Sequence, residues 1–238
     1  MVFYVLNGAK EIDIMKRTPL AQRELPDYTR GEEICNMVTH IVGGALGILA
    51  LVLCPVFGAR HNNAWGVVCG TVFAFCMLVL YAISSTYHGL SPKLLGKRVL
   101  QVLDHCSIFL LIAGTYTPMA LCAIRPYNSA LGWVLFGVIW ALAALGITFN
   151  AIDLKKYAKF SMICYLLMGW AIVVRIDLIY KLIGPGGFWL LLSGGIAYTV
   201  GAALYLIGRK RRYAHTTFHV FTVIGSLLHF LCILLYVI

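Results

Sequence analysis

Long apolar stretches with almost no charged side chain dominate this sequence. A helix needs roughly 20 apolar residues to cross a hydrocarbon layer about 30 Å thick. Seven candidates occur, at residues 34–58, 64–88, 104–124, 129–151, 158–176, 188–207 and 215–238. With 61% hydrophobic and 12% charged residues, the chain has too much apolar surface to bury in a water-soluble core, since soluble domains carry roughly 25% charged residues. The sequence therefore predicts an all-α integral membrane protein, a bundle of seven transmembrane helices.

The distribution of basic residues predicts the orientation of this bundle. The N-terminal arm holds five Lys and Arg, and the connections after the second, fourth and sixth runs hold three, three and four, which is 15 of the 19. The alternate connections hold the other four. Cytoplasmic loops carry such an excess, so we expect a multi-pass protein of the cell (plasma) membrane with a cytoplasmic N-terminus and a C-terminus outside. The net charge of +10 then reports orientation, and we expect no nucleic-acid partner.

The chain divides into a polar N-terminal arm, residues 1–33, and a transmembrane domain, residues 34–238. Eight cysteines are scattered singly through the apolar runs, which is typical of small packing residues. Gly43 and Gly47 form a small-x-x-x-small pair that lets helix backbones approach closely. Pro118 falls inside the third run and is expected to kink it.

Ionisable side chains inside a membrane are costly and commonly mark a functional site or a paired structural one. His215 and His219 are spaced i, i+4 in H-T-T-F-H, so both lie on one helical face. His88 ends the second run, four residues after Ser84, and Asp104 opens the third run. The predicted topology places these residues at one level near the cytoplasmic side.

Three neutral imidazoles with an open fourth position describe a catalytic type of zinc site, and a nearby carboxylate can orient or deprotonate water there. The alternative is that each histidine is an ordinary packed or interfacial residue. Glu33, Asn36 and His40 share one face at the start of the first run, where they could form a network behind the metal or cap the interface. The remaining imidazoles, His61, His105 and His229, are interpreted as structural, and His229 as an interhelical hydrogen-bonding residue. Asp153 is interpreted as a solvated loop charge, and Asp177 as a partner of Arg175.

Four motifs resemble the bacterial haemolysin III branch of the progestin and adipoQ receptor (PAQR) superfamily: E-E-I-C-N-M-V-T-H, S-S-T-Y-H, L-D-H-C-S-I-F-L-L-I-A-G-T-Y-T-P, and H-T-T-F-H with a later L-H-F. The resemblance covers residues 30–238. It implies a seven-helix fold with a zinc ion bound by His88, His215 and His219, with Asp104 near the water on the zinc and Ser84 close by.

The wider superfamily resembles alkaline ceramidases, which hydrolyse lipid amides at a similar zinc site. We therefore expect a zinc-dependent hydrolase of a lipid amide or ester, with Asp104 as general base, Ser84 as a hydrogen-bond donor, and membrane lipids as partners. The haemolysin label implies lysis or pore formation instead. A receptor-like or membrane-homeostasis regulator with a structural zinc is a further alternative, and bis-histidine haem is another.

Overall fold

The computed structural model describes residues 18–208 and 211–238, and within these ranges the regular structure is helical without a strand. The helices are α1 (Arg30–Arg60), α2 (Ala64–Gly89), α3 (Leu95–Pro118), α4 (Ser129–Ile152), α5 (Leu154–Trp170), α6 (Ile176–Gly208) and α7 (Ala214–Tyr236). The all-α class predicted from the sequence is confirmed.

In the part of the chain that the structure describes, six helical stretches are long and apolar enough to cross a membrane: Arg30–Arg60, Ala64–Gly89, Leu95–Tyr127, Ser129–Ile152, Leu154–Leu206 and Ala214–Tyr236. The outside of the bundle exposes large apolar side chains, among them Val174 at 82% and Leu167 at 67%. Helices with satisfied backbones and an apolar exterior suit a lipid solvent. The chain is therefore a multi-pass membrane protein.

The stretch Leu154–Leu206 contains a reversal of chain direction. Its 53 residues would extend about 80 Å as one straight helix, far more than a bilayer is thick. A 3-10 segment, Ala171–Arg175, follows α5, and Gly184 breaks α6 with φ 66° and ψ 176°, a backbone conformation that glycine tolerates. Trp170 donates a hydrogen bond from Nε1 to Oγ1 of Thr199 at 3.0 Å. The end of α5 therefore lies beside the part of α6 that follows Gly184.

Some helix boundaries differ from those predicted. Helix α3 begins at Leu95, nine residues before the predicted start of the third run. Lys97 and Gln101 made this segment look like a loop, yet they are only 1% and 8% exposed. They are spaced i, i+4 and lie on one buried face of the first two turns. Asp104 is consequently inside α3 and does not open it, and Lys97 and Arg98 belong to the helix and not to the preceding loop.

Close approach of α1 and α2 depends on glycine, as predicted. A Cβ placed on Gly43 would lie 2.4 Å from the Tyr81 ring, and one on Gly47 would lie 3.0 Å from Cα of Leu78. The third membrane stretch departs from α geometry immediately after Pro118, in a π-helical segment at Met119–Ile124. Helix α7 packs against α6 and also against α1, so the last helix closes the bundle against the first.

Residues 18–29, the part of the N-terminal arm that the structure describes before α1, lie across one end of the bundle. Thr18 donates to the Asp153 carboxylate from its amide at 3.2 Å and from its hydroxyl at 2.6 Å. Arg23 is buried and donates to the carbonyl oxygen of Ile152 at 2.8 Å, while Arg98 donates to the carbonyl oxygen of Arg23 at 3.0 Å. The arm is thus fastened to α3 and to the junction of α4 with α5.

Asp153 is not a solvated loop charge, so that interpretation was wrong. It is 6% exposed and caps α5 by accepting hydrogen bonds from the amides of Lys155 and Lys156. Burial alone raises the pKa of this carboxyl, but the hydrogen bonds from Thr18 and the two amides outweigh burial and lower the pKa to about 2. The carboxylate therefore remains charged while it holds both the arm and the helix start.

Candidate metal centre

Three histidines meet where α2 ends and α7 begins. His88 is the penultimate residue of α2, and His215 and His219 lie in the first two turns of α7. One ring nitrogen from each residue can be chosen so that all three atoms lie within 4.8 Å of one another. The structure therefore brings together the three histidines that the sequence placed at one membrane level.

The start of α7 is tied to the start of α1. Glu32 completes a capping box with Thr29 at the N-terminus of α1. Its other carboxylate oxygen accepts a hydrogen bond from the amide of Tyr213 at 2.9 Å. Since α7 begins at Ala214, this contact sets the level at which His215 and His219 enter the bundle.

Hydrogen bonds fix the tautomers of two of the three imidazoles. Nδ1 of His88 lies 2.6 Å from Oε2 of Glu33, and Nδ1 of His219 lies 3.2 Å from the carbonyl oxygen of Asn36. A neutral imidazole whose Nδ1 donates a proton keeps its Nε2 lone pair for a ligand bond. Carboxylate or carbonyl partners of this kind commonly orient histidines that bind metal.

Several polar atoms of the centre are buried without a hydrogen-bond partner among the described residues. They include Nε2 of His88, both ring nitrogens of His215, the Ser84 hydroxyl and the side-chain nitrogen of Asn36. Buried polar groups are nearly always paired. Unpaired imidazole nitrogens that converge on one point are what a metal-binding group requires, so these residues fit a zinc ion.

An ion pair between the partly buried Glu33 and the buried Lys97 supports His88. Oε1 of Glu33 accepts a hydrogen bond from Nζ of Lys97 at 2.7 Å, and the same ammonium donates to the carbonyl oxygen of Leu90 at 2.9 Å. The Lys97 charge balances the Glu33 charge. Glu33 thus links the first helix to the end of the second and the start of the third.

The face of α1 that carries Glu33, Asn36 and His40 forms a network behind the histidines, which was one of the two alternatives that the sequence left open. The Asn36 side-chain oxygen accepts a hydrogen bond from the Thr216 hydroxyl at 2.5 Å. The His40 ring stacks on the His219 ring with centroids 3.6 Å apart and planes 9° apart.

The two residues predicted to assist chemistry lie outside the three-histidine group. Asp104 is partly buried in α3, and its Oδ2 lies 3.9 Å from Nδ1 of His105. Ser84 is fully buried, one turn before His88 on α2. Neither residue belongs to the set of candidate ligands.

Sequence reasoning missed Tyr28. Its ring stacks on that of His215, with centroids 5.1 Å apart and planes 21° apart, and lies 5.9 Å from the ring of His88. Burial raises the pKa of the Tyr28 phenol well above its ordinary value, and the neighbouring Tyr205, Glu33 and Asp104 act in the same direction. Tyr28 precedes the first apolar run, so neither hydropathy nor helical spacing indicated a role for it.

The other histidines have structural contacts. His229 donates from Nε2 to the carbonyl oxygen of Leu191 at 3.0 Å, which confirms the interhelical hydrogen bond. His61 lies by the C-terminus, with Nδ1 3.2 Å from the Ile238 carbonyl oxygen, and His105 contacts the Gln101 carbonyl oxygen within α3. Arg175 and Asp177 pair at 3.5 Å as predicted, and all eight cysteines, each in the described part of the chain, are free thiols.

Comparison with known proteins shows which family this chain resembles. Residues 28–230 match a family model described as haemolysin-III related. Hemolysin-3 of Bacillus cereus is 41% identical over 207 residues, which cover 87% of this chain and 92% of the relative. Hemolysin-3 homolog of Bacillus subtilis (strain 168) is 39% identical over 209 residues, covering 88% and 96%. Monocyte to macrophage differentiation factor of Homo sapiens is 24% identical over 225 residues, covering 91% and 88%.

Proposed function

Because the chain belongs to the haemolysin III family, we propose that it binds one zinc ion through His88, His215 and His219 and hydrolyses an amide or ester bond of a membrane lipid. The observation that carries this proposal is the group of three imidazoles with donor atoms within 4.8 Å of one another. Three protein ligands with a fourth position open are typical of catalytic zinc.

The chemistry of the donor set supports zinc. Imidazole nitrogen is a good zinc ligand, and the centre has unpaired nitrogens in a buried place. An unpaired buried polar atom costs roughly 1–3 kcal/mol, a penalty that ligation removes. A zinc ion bound by the three histidines would supply a Lewis acid that polarises a carbonyl oxygen and lowers the pKa of water.

The chain's own residues supply the remaining roles. Glu33 is already engaged with His88 and Lys97, so it holds the ligand in place and is not free to move protons. Asp104 is the carboxylate outside that network and would take a proton as general base. The Ser84 hydroxyl, which has no hydrogen-bond partner among the described residues, would donate to the oxyanion that develops on the lipid carbonyl.

The proposal includes seven spans in the cell membrane, with residues 1–33 as an arm and residues 34–238 as one transmembrane domain. The reversal at Gly184 supports counting Leu154–Leu206 as two spans. The bias of 15 basic residues against four supports a cytoplasmic N-terminus and an external C-terminus. The zinc centre then lies at the level of the cytoplasmic leaflet, so the substrate is a lipid of that leaflet.

Replacement of Asp104 tests the hydrolase. Asp104→Asn keeps the size of the side chain but removes the charge that takes a proton, so the variant should fold and retain zinc. Its release of fatty acid from a broad lipid panel in liposomes should fall by roughly 10²–10⁴-fold. Asp177→Asn is the control, because Asp177 is an exposed partner of Arg175. Undiminished product release by Asp104→Asn would remove Asp104 from the mechanism.

The names of two bacterial relatives, Hemolysin-3 and Hemolysin-3 homolog, favour lysis as a second candidate function. Leakage of dye from liposomes should not depend on proton transfer by Asp104. A zinc-loaded protein that yields no lipid product, yet leaks dye equally with and without Asp104, would establish lysis over hydrolysis. If neither product nor leakage is found and chelation lowers thermal stability strongly, the metal is structural, since its binding free energy is then folding free energy.

A further inference from the structure

His215 is held differently from the other two candidate ligands. Glu33 fixes the His88 ring and the Asn36 carbonyl oxygen fixes the His219 ring. Both ring nitrogens of His215 are buried without a hydrogen-bond partner among the described residues. Its orientation must therefore come from packing of the ring faces and edges.

Aromatic neighbours provide that packing. Tyr28 gives the flattest contact, at 5.1 Å and 21°, whereas Tyr205 and Phe218 meet the His215 ring at 60° and 40°, with centroids 5.6 and 5.8 Å away. Stacked rings at such separations stabilise each other beyond the area they bury. Tyr28 also contacts the His88 ring, so one side chain spans two of the three ligands.

Tyr28 does not belong to any of the helices that carry the ligands. It lies at the end of the arm, which is fastened at Thr18 and at Arg23. Tyr28 lies between the Arg23 contact and the helix start at Arg30, so both ends of the segment that carries it are held. The fastening at the α4–α5 junction therefore keeps Tyr28 against the histidines.

We propose that Tyr28 is a positioning residue that orients His215 and covers the metal centre, and that the arm acts as a strap holding it there. This inference rests on the zinc binding of the proposed function. Tyr28 does for His215 what Glu33 does for His88, through a ring face in place of a hydrogen bond. Loss of the ring should let His215 turn away and let water and chelators reach the metal.

The test is the rate at which purified, zinc-loaded protein in detergent loses zinc to an excess of EDTA. Partners that orient metal-bound histidines typically change metal affinity by roughly 10–100-fold, so Tyr28→Ala should release zinc about tenfold faster. Tyr28→Phe keeps the ring and should release zinc as slowly as the wild type. Tyr180→Ala, which removes a ring that packs on Phe188 away from both the histidines and the arm, is the control.

A second variant tests the strap without touching the centre. Thr18→Val removes the hydroxyl that donates to Asp153 but leaves the amides of Lys155 and Lys156 to bond Asp153. It should also accelerate zinc release, by less than Tyr28→Ala. Release at the wild-type rate from a folded Tyr28→Ala protein would overturn the role of Tyr28, and normal release from Thr18→Val would overturn the strap. A wild type that never binds zinc would instead overturn the proposed function.

Discussion

At the scale of single residues, His219 joins the candidate ligands to α1 through a hydrogen bond with the Asn36 carbonyl oxygen. It shares the metal group with His88 and His215 and stacks on His40. We expect about one zinc per purified chain, and His219→Ala should abolish most of it, since two imidazoles do not complete the protein ligands of such a site. His61→Ala should keep its zinc, because His61 contacts the C-terminal residue instead. Equal zinc by elemental analysis in both variants would show that the ion, if any, lies elsewhere.

Replacement of Glu33 should affect zinc binding through His88 and stability through Lys97. In Glu33→Gln, His88 loses its charged partner, so zinc affinity should fall roughly 10–100-fold. The Lys97 ammonium, 1% exposed, is then left unpaired, and breaking a buried pair in this way costs about 3–5 kcal/mol. Adding Lys97→Met should recover thermal stability but not zinc affinity, because only the uncompensated charge has been removed.

Glu24 provides the matched control for this experiment. It pairs with Lys155 at 3.0 Å, and both side chains are exposed, at 80% and 86%. Exposed pairs contribute little to stability, so Glu24→Gln should change neither zinc binding nor thermal unfolding. A zinc affinity for Glu33→Gln that matches that of Glu24→Gln would mean that the buried pair does not orient His88.

The ligand candidates could be predicted from the sequence because spacing and loop charges are one-dimensional signals. His215 and His219 share a face by helical geometry, and the basic connections set the level of His88. Tyr28 and Lys97 could not be found in this way. Their roles come from contacts between elements that are distant in the chain. A tyrosine in the arm or a lysine beside a loop produces no periodic or charge signal in the sequence that would indicate such a contact.

At the scale of elements, the start of α5 depends on Asp153. Its pKa in the folded protein, about 2, lies below the ordinary value of 3.8. The unfolded chain therefore binds this proton more readily, and the stabilisation is present above pH 4 and lost as the pH falls through about 2. Asp153→Ala should lower the free energy of unfolding at pH 7 by about 1 kcal/mol, the typical loss of an N-cap.

Thermal unfolding in detergent between pH 3 and pH 7 measures this effect. The difference between wild type and Asp153→Ala should stay constant from pH 7 to pH 5 and begin to shrink below pH 4. Asp27→Ala is the control, because Asp27 is exposed on the arm. A difference that grows as the pH falls would give the opposite sign and contradict the lowered pKa.

Helix positions were predictable to within a few residues wherever the apolar run coincided with the helix. The prediction failed for α3, because its first two turns carry polar residues that are buried by contacts with other elements. It also gave no warning that helical turns fill the connection between the fifth and sixth apolar runs, since Gly184 and Pro185 look like an ordinary loop signal. Hydropathy identifies helix segments that contact lipid. It does not identify a polar helix face that is buried against other parts of the protein.

At the scale of the whole molecule, the charge bias predicts topology. A reporter fused after Ile238 should lie outside the cytoplasm, and one inserted in the connection at Arg209–Arg212 should lie inside, since the connection is basic. Paired reporters that are active only in the cytoplasm or only outside it make this measurement. Both fusions on one side would mean that α7 does not cross, and exchanged sides would mean that the reversal at Gly184 does not divide two spans.

The closure of α7 against α1 has a consequence for biogenesis. One candidate ligand lies in α2 and two lie in α7, and their supports Glu33 and Asn36 lie in α1. The ribosome synthesises these segments in order. The face of α1 that carries Glu33 and Asn36 therefore lacks its contacts with α7 until α7 has been made. Zinc capture by the proposed site would therefore be a late event of synthesis, because a nascent chain stalled before α7 holds one histidine of the three.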